Sequence, residues 1–367
     1  MTVLVAGGGL IGLAVAWRAA RRGLDVTVVD EDPGAGASRA AAGMLAPLTE
    51  AAYGEEALRA FGRESLARFP AFLADLARDG GGPVALRTAG TLEVGFDADD
   101  MAELDRRHAY YAECGLPVER LTAGQARRRE PALSPRVRGA LSAPTDHSVE
   151  PRALHAALLA AAGRAGVHIV RSRIAALTVE DGRAAGVRLA DGTVRAAGTV
   201  VLALGARSGT LPGAPPLPVR PVKGQILRVR GDDGPLAGTV RALVRGRHVY
   251  LVPHDDHLVI GATAEERGFD PTVTAGAVHD LLRDAIEVVP EVAELELVET
   301  LARWRPGTTD NAPLLGPAEL PGLVLATGHY RNGVLLTPAT GDAIADLLAT
   351  GRLPAYAEPF TIPRRSA

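Results

Sequence analysis

The sequence predicts a mixed α/β (α+β) fold, a lobe built on a parallel sheet with an antiparallel-sheet lobe inserted into it. Three observations predict this. The apolar run Thr2–Ala6 meets the turn G-G-G-L-I-G, a helical segment Leu10–Arg22 and a β-branched run Leu24–Asp30, which is the order of a strand–helix–strand unit. Two later apolar runs, Thr199–Leu204 and Gly322–Ala326, each lead to a glycine and suit a sheet shared with the first strand. Between them lie the strand-like runs Gly224–Val229, His248–Val252, Leu258–Ala262 and Leu297–Arg305, interrupted by one helix at Ala277–Val288.

The remaining elements follow in order. Helical patterns cover Glu55–Arg78 and Ala98–Cys114, with the strand-like V-A-L-R and G-T-L-E-V-G-F between them. Pro151–Ala165 reads as a helix. Val167–Val170, Ile174–Val179 and Ala184–Leu189 read as strands, with turns at Asp181-Gly182 and Asp191-Gly192. The proline-rich Leu211–Pro221 marks a crossing between lobes, and the last helix is expected from Val334 to about Ala349. No internal repeat is present. The expected division is 1–84, 145–215 and 306–367 for the lobe with the parallel sheet, and 85–144 and 216–305 for the inserted lobe.

Composition excludes several functions. The 367 residues are 47% hydrophobic, enough for a large core, and the formal charge of −3 does not suit a nucleic-acid partner. Cys114 is the only cysteine, so no intrachain disulfide and no paired-cysteine metal site can form, and no metal is expected. No apolar run reaches the roughly 18 residues of a membrane span. The N-terminus carries no basic, apolar leader. These features suit a cytoplasmic protein.

Gly7, Gly9 and Gly12 form G-x-G-x-x-G between a strand and a helix, the context that a Rossmann-type dinucleotide site requires. Gly7 permits the tight turn, Gly9 lets the backbone approach a pyrophosphate, and Gly12 lets helix and strand pack closely. The helix N-terminus then faces the phosphates. Asp30, at the end of the second strand, stands where a carboxylate binds ribose hydroxyls. The plainer alternative is a strand–helix turn with a surface aspartate. Thr199–Ala206, with Gly205, and Gly322–Gly328 would both pass close to a cofactor extended across the sheet, as FAD is. No second G-x-G-x-x-G offers a separate nicotinamide site. Electrons would leave to oxygen, a quinone or a carrier. The small-residue stretch A-S-R-A-A-A-G-M, Ala37 to Met44, would lie along the ribityl chain and ring: Ala41, Ala42 and Gly43 allow close approach and Met44 forms a soft apolar wall. A close-packed helix start is the alternative.

Three stretches bear on a substrate. In R-W-R-P-G-T, Arg303 and Arg305 share one strand face, and a guanidinium at a strand end suits capture of a small carboxylate. A structural salt bridge would also explain them. In H-V-Y-L-V-P, His248 and Tyr250 share a face, and the Tyr250 hydroxyl could complete the clamp, although an amphipathic exposed strand accounts for the alternation too. In G-H-Y-R-N-G, Gly328 to Gly333, the backbone would sit at the positive end of the last helix, where negative charge on a reduced flavin is stabilised. Arg331 adds charge there or faces the substrate, or is a solvated arginine on a capped turn.

Together A-A-A-G-M-L (Ala40–Leu45), H-x-Y-x-V-P (His248–Pro253), W-R-P-G-T (Trp304–Thr308) and G-H-Y-R-N-G-x-L-L-x-P-A-T (Gly328–Thr340) resemble the D-amino-acid-oxidase-like flavoenzymes, most closely the glycine oxidases of thiamine biosynthesis. The resemblance runs from the first strand to the last helix. It implies a substrate arginine at Arg305, a second active-site arginine at Arg331, an active-site tyrosine at Tyr250, and Met44 and His248 in the substrate pocket. It implies FAD contacts at Leu10, Ile11, Asp30, Glu31, Ala37, Ser38, Ala42, Gly43, Met44, Ile174 and the loop His329, Tyr330, Arg331, Asn332, Gly333, Val334, Leu335. The family's usual glutamate at the end of the second strand is Asp30 here. FAD is expected to be non-covalent, because Cys114 lies far from these motifs. The implied reaction is oxidation of glycine to its imine and then glyoxylate, with O2 reduced to H2O2. A thiazole synthase is the implied downstream enzyme, and relatives suggest a homo-oligomer. The rivals are a D-amino-acid or sarcosine-type oxidase or dehydrogenase, a nicotinamide dehydrogenase, and a non-catalytic subunit of the same fold.

Overall fold

A computed structural model describes residues 2–231 and 235–362. Thr2–Ala6, Asp25–Asp30, His168–Arg171, Thr199–Leu202 and Leu323–Thr327 form a parallel sheet, and Leu314–Pro317 pairs antiparallel at its edge. The strands are buried on both faces, which is why they read as unbroken apolar runs. The helix Leu10–Arg21 lies on one face and is buried nearly all round; Leu13, Ala14, Val15, Ala16, Trp17 and Ala19 are each fully buried. It packs against Thr337–Thr350 so closely that a Cβ at Gly341 would stand 3.1 Å from the Ala14 methyl. Burial of each large side chain in this layer, such as Trp17, Phe69 or Phe72, contributes about 1.5–3 kcal/mol.

The second sheet has eight strands, in the order Glu296–Gly307, Arg220–Arg230, Leu258–Gly261, Arg247–Pro253, Thr239–Val244, Thr91–Gly95, Gly139–Ala143, Glu119–Thr122. It departs from the antiparallel expectation at one place, since Thr239–Val244 and Thr91–Gly95 run parallel. The reason is connectivity: the sheet is assembled from two separate stretches of chain, Thr91–Ala143 and Arg220–Gly307, and this is the seam between them. The helix Ala275–Val288 packs on one face through Leu281, Ala285 and Val288. Two smaller three-stranded sheets complete the fold. One is the meander Ile174–Glu180, Arg183–Leu189, Val194–Ala196; the other joins Met44–Leu45 to His147–Val149 and Leu86–Arg87.

The expected helices are present with ends shifted by a few residues. The largest shift is at the last helix, which begins at Thr337 rather than Val334. Tyr330–Asn332 is a separate 3-10 turn, and Pro338, which has no N–H to donate, sits in the first turn of the helix, where that donor is not needed. Of the described residues, no helix is long and apolar enough to cross a membrane.

Candidate active site

The carboxyl ends of Thr2–Ala6, Thr199–Leu202 and Leu323–Thr327 open onto a cavity of about 1640 Å³ that runs to the inner face of the eight-stranded sheet. Open α/β sheets bind ligands in this crevice. At the sheet end, Gly9, Leu10 and Ile11 present the helix N-terminus to it. The first turn of that helix carries no acidic side chain, and its N-cap, Gly9, provides no side-chain cap, which leaves the helix end suited to an anion. Gly7 and Gly12 lie behind this surface and do not line the cavity. A Cβ at Gly7, where φ is +114°, would fall 2.3 Å from the Ala203 carbonyl oxygen, and one at Gly12 would fall 1.9 Å from that of Gly7. Both are glycine because backbone passes over backbone. Asp30 accepts from the Gly8 N–H at 2.6 Å and from the Asp32 N–H at 2.9 Å, so its carboxylate is fixed at the cavity wall beside Glu31.

The cavity continues past Ala37, Ser38, Ala42, Gly43 and Met44 on one side and Ile174 and Gly205 on the other. The Ser38 hydroxyl accepts from the Leu10 N–H at 3.2 Å, tying this segment to the helix start. The smallness of Gly43 has a further cause besides approach by a ligand. Its φ is +88°, and a Cβ there would be 1.9 Å from the Val149 carbonyl oxygen. Ala42 is held from behind, where its carbonyl accepts from His254 Nε2 at 3.0 Å. His254 is 5% exposed, and burial pushes its imidazole down to about 4, so it is neutral. Glu150, His254 and His257 bring ligand-type atoms within 4.8 Å of one another. The Arg228 guanidinium already supplies the cation of that group, at 2.7 Å from His257 Nε2 and 3.3 Å from Glu150 Oε1.

His329, Tyr330, Arg331, Asn332, Gly333 and Val334 also line the cavity. Leu335 does not; it is buried, and its carbonyl accepts from Ser65 Oγ at 2.6 Å. His329 is 2% exposed and its Nε2 contacts Thr340 Oγ1 at 3.0 Å; burial pushes it down to about 3. Arg331 is exposed and forms no ion pair among the described residues.

At the far end stand Arg305, Tyr250 and His248. Arg305 Nη1 donates to the Thr263 carbonyl at 3.0 Å, and Arg305 has no carboxylate partner among the described residues. Burial holds the Tyr250 phenol above its usual range and so protonated, with Arg305 and Arg331 opposing. Burial, then the cations Arg241 and Arg107, push His248 down. Arg303 shares the strand face but turns to the Ala35 carbonyl at 2.6 Å, a structural role.

Sequence reading missed the charged wall beside these groups. Arg241 hydrogen-bonds Glu50, and Arg107 lies 3.0 Å from Glu93 Oε1 while its guanidinium donates to the Tyr111 hydroxyl at 2.6 Å. All line the cavity. Arg241 escaped notice because its strand was not recognised: the hairpin Thr239–Val244 to Arg247–Pro253 turns on Arg245 and Gly246, both at positive φ, and an arginine there gives none of the usual Asn-Gly or Asp-Gly signal.

The family described as FAD dependent oxidoreductase matches residues 2–347. A glycine oxidase from Geobacillus kaustophilus is 34% identical over 99% of this chain and 96% of its own length. The crystal structure of glycine oxidase from that organism superposes with a TM-score of 0.90, covering 100% of this chain and 99% of that one. A bifunctional protein ThiO/ThiG from Nostoc sp. is 34% identical over 94% of this chain, which spans 52% of that protein's length. The glycine turn, a helix N-terminus free of acidic side chains and a cavity large enough for a dinucleotide with a small molecule beside it fit FAD, the cofactor of this family. The chain belongs to the FAD dependent oxidoreductase family.

Proposed function

We propose that the protein oxidises glycine to its imine, which hydrolyses to glyoxylate and ammonia, with O2 reduced to H2O2. The observation that carries this reading is Arg305, an arginine with no carboxylate partner among the described residues, beside a protonated Tyr250 at the end of the cavity opposite the nucleotide turn. The glycine oxidase names of relatives matched over nearly their whole length support it. FAD, when bound, supplies the two-electron acceptor and its reoxidation by O2.

The chain's own residues bind and orient. Arg305 takes the substrate carboxylate by charge-assisted hydrogen bonds, and the Tyr250 hydroxyl donates to the same group. Arg331 and Arg305 leave this end of the cavity positive, because Glu50 is neutralised by Arg241. A positive, partly desolvated site favours a neutral amine over an ammonium, and the amine must be neutral for its lone pair to assist loss of hydride from the α-carbon. Met44 and His248 bound the space beside it. In this reading 1–84, 145–215 and 306–367 hold FAD and 85–144 and 216–305 hold substrate; residues 1, 232–234 and 363–367 lie outside the described residues. FAD is held without a covalent bond by the glycine turn, Asp30, Ala37, Ser38, Ala42, Gly43, Met44, Ile174, Gly205 and His329–Val334.

The imine would feed thiazole formation in thiamine biosynthesis, with a thiazole synthase as the downstream enzyme. A relative that joins a sequence like this one to a second part in a ThiO/ThiG chain supports that placement. The setting proposed is the cytoplasm, and the working form a homo-oligomer. The test is anaerobic mixing of the yellow protein with glycine, sarcosine and D-alanine. Loss of flavin absorbance with glycine, and peroxide on admission of O2, is expected. Flavin that stays oxidised with all three would overturn the reading.

A further inference from the structure

The Arg305 guanidinium is held by a chain of groups that leads away from the cavity. Its acceptor, the Thr263 carbonyl, belongs to the segment 262–274, which follows the strand Leu258–Gly261 and is outside the sheet ladder except for one bridge between Lys223 and Glu265. Three backbone bonds tie it to Arg220–Arg230, from the Thr263 N–H to the Gln225 carbonyl at 3.2 Å and between Lys223 and Glu265 in both directions at 2.9 Å, and side chains add to them. The Thr263 hydroxyl donates to Glu265 Oε1 at 2.6 Å and accepts from the Gln225 N–H at 2.9 Å. The Gln225 amide donates to the same Glu265 oxygen at 2.7 Å. Lys223 Nζ donates to Asp270 Oδ2 at 2.7 Å and stands 3.8 Å from Glu265 Oε2.

The Lys223 side chain is 0% exposed and does not line the cavity. A buried ammonium is costly unless it is paired, and removal of one partner leaves the rest uncompensated. Here the ammonium draws Asp270 and Glu265 together, and among the described residues no buried side-chain nitrogen or oxygen of this network lacks a partner. A fully satisfied network of this kind has one arrangement, and that arrangement fixes the Thr263 carbonyl.

We infer that Lys223 is a positioning residue for amine oxidation: it pins the segment from Thr263 to Asp270 and so aims Arg305 at the substrate carboxylate. The inference rests on the reading of Arg305 given above. The test uses FAD-loaded enzyme, acetate as a carboxylate probe followed by its perturbation of the flavin spectrum, and glycine kinetics. Lys223→Met should raise the acetate Kd and the glycine KM about tenfold, with a smaller change in kcat and unaltered FAD content. Asp270→Asn, at the more exposed end of the network, should act in the same direction and decides the matter if Lys223→Met does not fold. In an Arg305→Ala background either substitution should add less than about twofold, since residues in one network are not additive.

A folded variant with wild-type acetate affinity, or losses that add fully to that of Arg305→Ala, would overturn the inference. If Arg305→Ala itself leaves acetate binding unchanged, Arg305 is not the carboxylate anchor and the inference falls with that reading. If acetate behaves as expected while no amine reduces the flavin, only the assigned reaction falls.

Discussion

The guanidinium of Arg305 lies over the backbone of Gly224, so that a Cβ there would stand 2.3 Å from Nη1 and 2.6 Å from Cζ. The same relation joins Tyr250 to Gly261, where a Cβ would stand 2.4 Å from the hydroxyl. Tyr250 is paired directly opposite Gly261, whereas Arg305 is opposite Val222 and crosses diagonally to Gly224. Each strand is bare where a long side chain from its neighbour must cross it. The two crossings bring the guanidinium and the phenol to one end of the cavity.

Gly224→Ala should therefore misplace the arginine without unfolding the sheet, because the atoms that must move belong to the far end of a flexible side chain. The glycine KM is expected to rise about tenfold, the equivalent of roughly 1.4 kcal/mol, with FAD content unchanged. Steady-state kinetics and the flavin absorbance ratio measure both. An unaltered KM would show that the guanidinium does not need this space.

Arg305→Ala should lose a charge-assisted contact made to the substrate and leave the nucleotide end intact. Such contacts are worth about 1.5–3 kcal/mol, which is roughly 10- to 150-fold in KM. Arg305→Lys keeps the charge but loses the fork and should fall between the two. Equal KM values for the wild type and Arg305→Ala would remove Arg305 from the site.

Asp30 tests the other end. Its two oxygens are taken by the Gly8 and Asp32 N–H groups, so it shapes the glycine turn as well as facing the cavity. Asp30→Ala removes both acceptors and should weaken FAD binding by about ten- to a hundredfold, and Asp30→Asn, with one acceptor left, by less. Titration of apoprotein with FAD, followed by quenching of flavin fluorescence, reads the difference. Identical affinities for all three proteins would mean that the carboxylate only decorates the surface.

How much of this was legible beforehand follows the range of the interactions. The nucleotide turn was readable because its glycines, helix and second strand are consecutive, and their spacing alone states the geometry. Arg331 could be picked out as a candidate, and Arg305 and Tyr250 could be joined as a clamp, but how separated segments bring these two together could not be read. The glycines that receive them, Gly224 and Gly261, carried no signal: a glycine in a strand looks the same whether it faces solvent or a neighbour's guanidinium. Lys223 was invisible for a related reason. A lysine in an alternating strand is ordinarily solvated, and only the fold shows that Asp270 and Glu265 close over it. Arg241 was lost with its hairpin. The start of the last helix was misplaced because Val334–Leu336 is apolar enough to be helical, while backbone bonds such as Leu336 N–H to the Asn332 carbonyl at 2.8 Å form an irregular lead-in.

The buried histidines fix how stability responds to acid. His329 and His254, pushed down to about 3 and about 4, refuse in the folded state a proton that the unfolded chain accepts below about 6.5. Their contribution is complete above pH 6.5 and is lost as pH falls toward 4, at up to about 1.4 kcal/mol per unit for each. Asp146 opposes them. It is buried, accepts from Leu48 N, Thr49 N and the Thr49 hydroxyl, and burial raises it to about 6. The folded state thus holds that proton more tightly than the unfolded chain, which adds stability as pH falls from 6 toward 4. His329→Gln retains a donor for Thr340 Oγ1 but cannot titrate, so it should flatten the fall in urea midpoint between pH 6.5 and 4.5. If the wild type and His329→Gln lose stability in parallel over that interval, His329 is not held neutral in the fold.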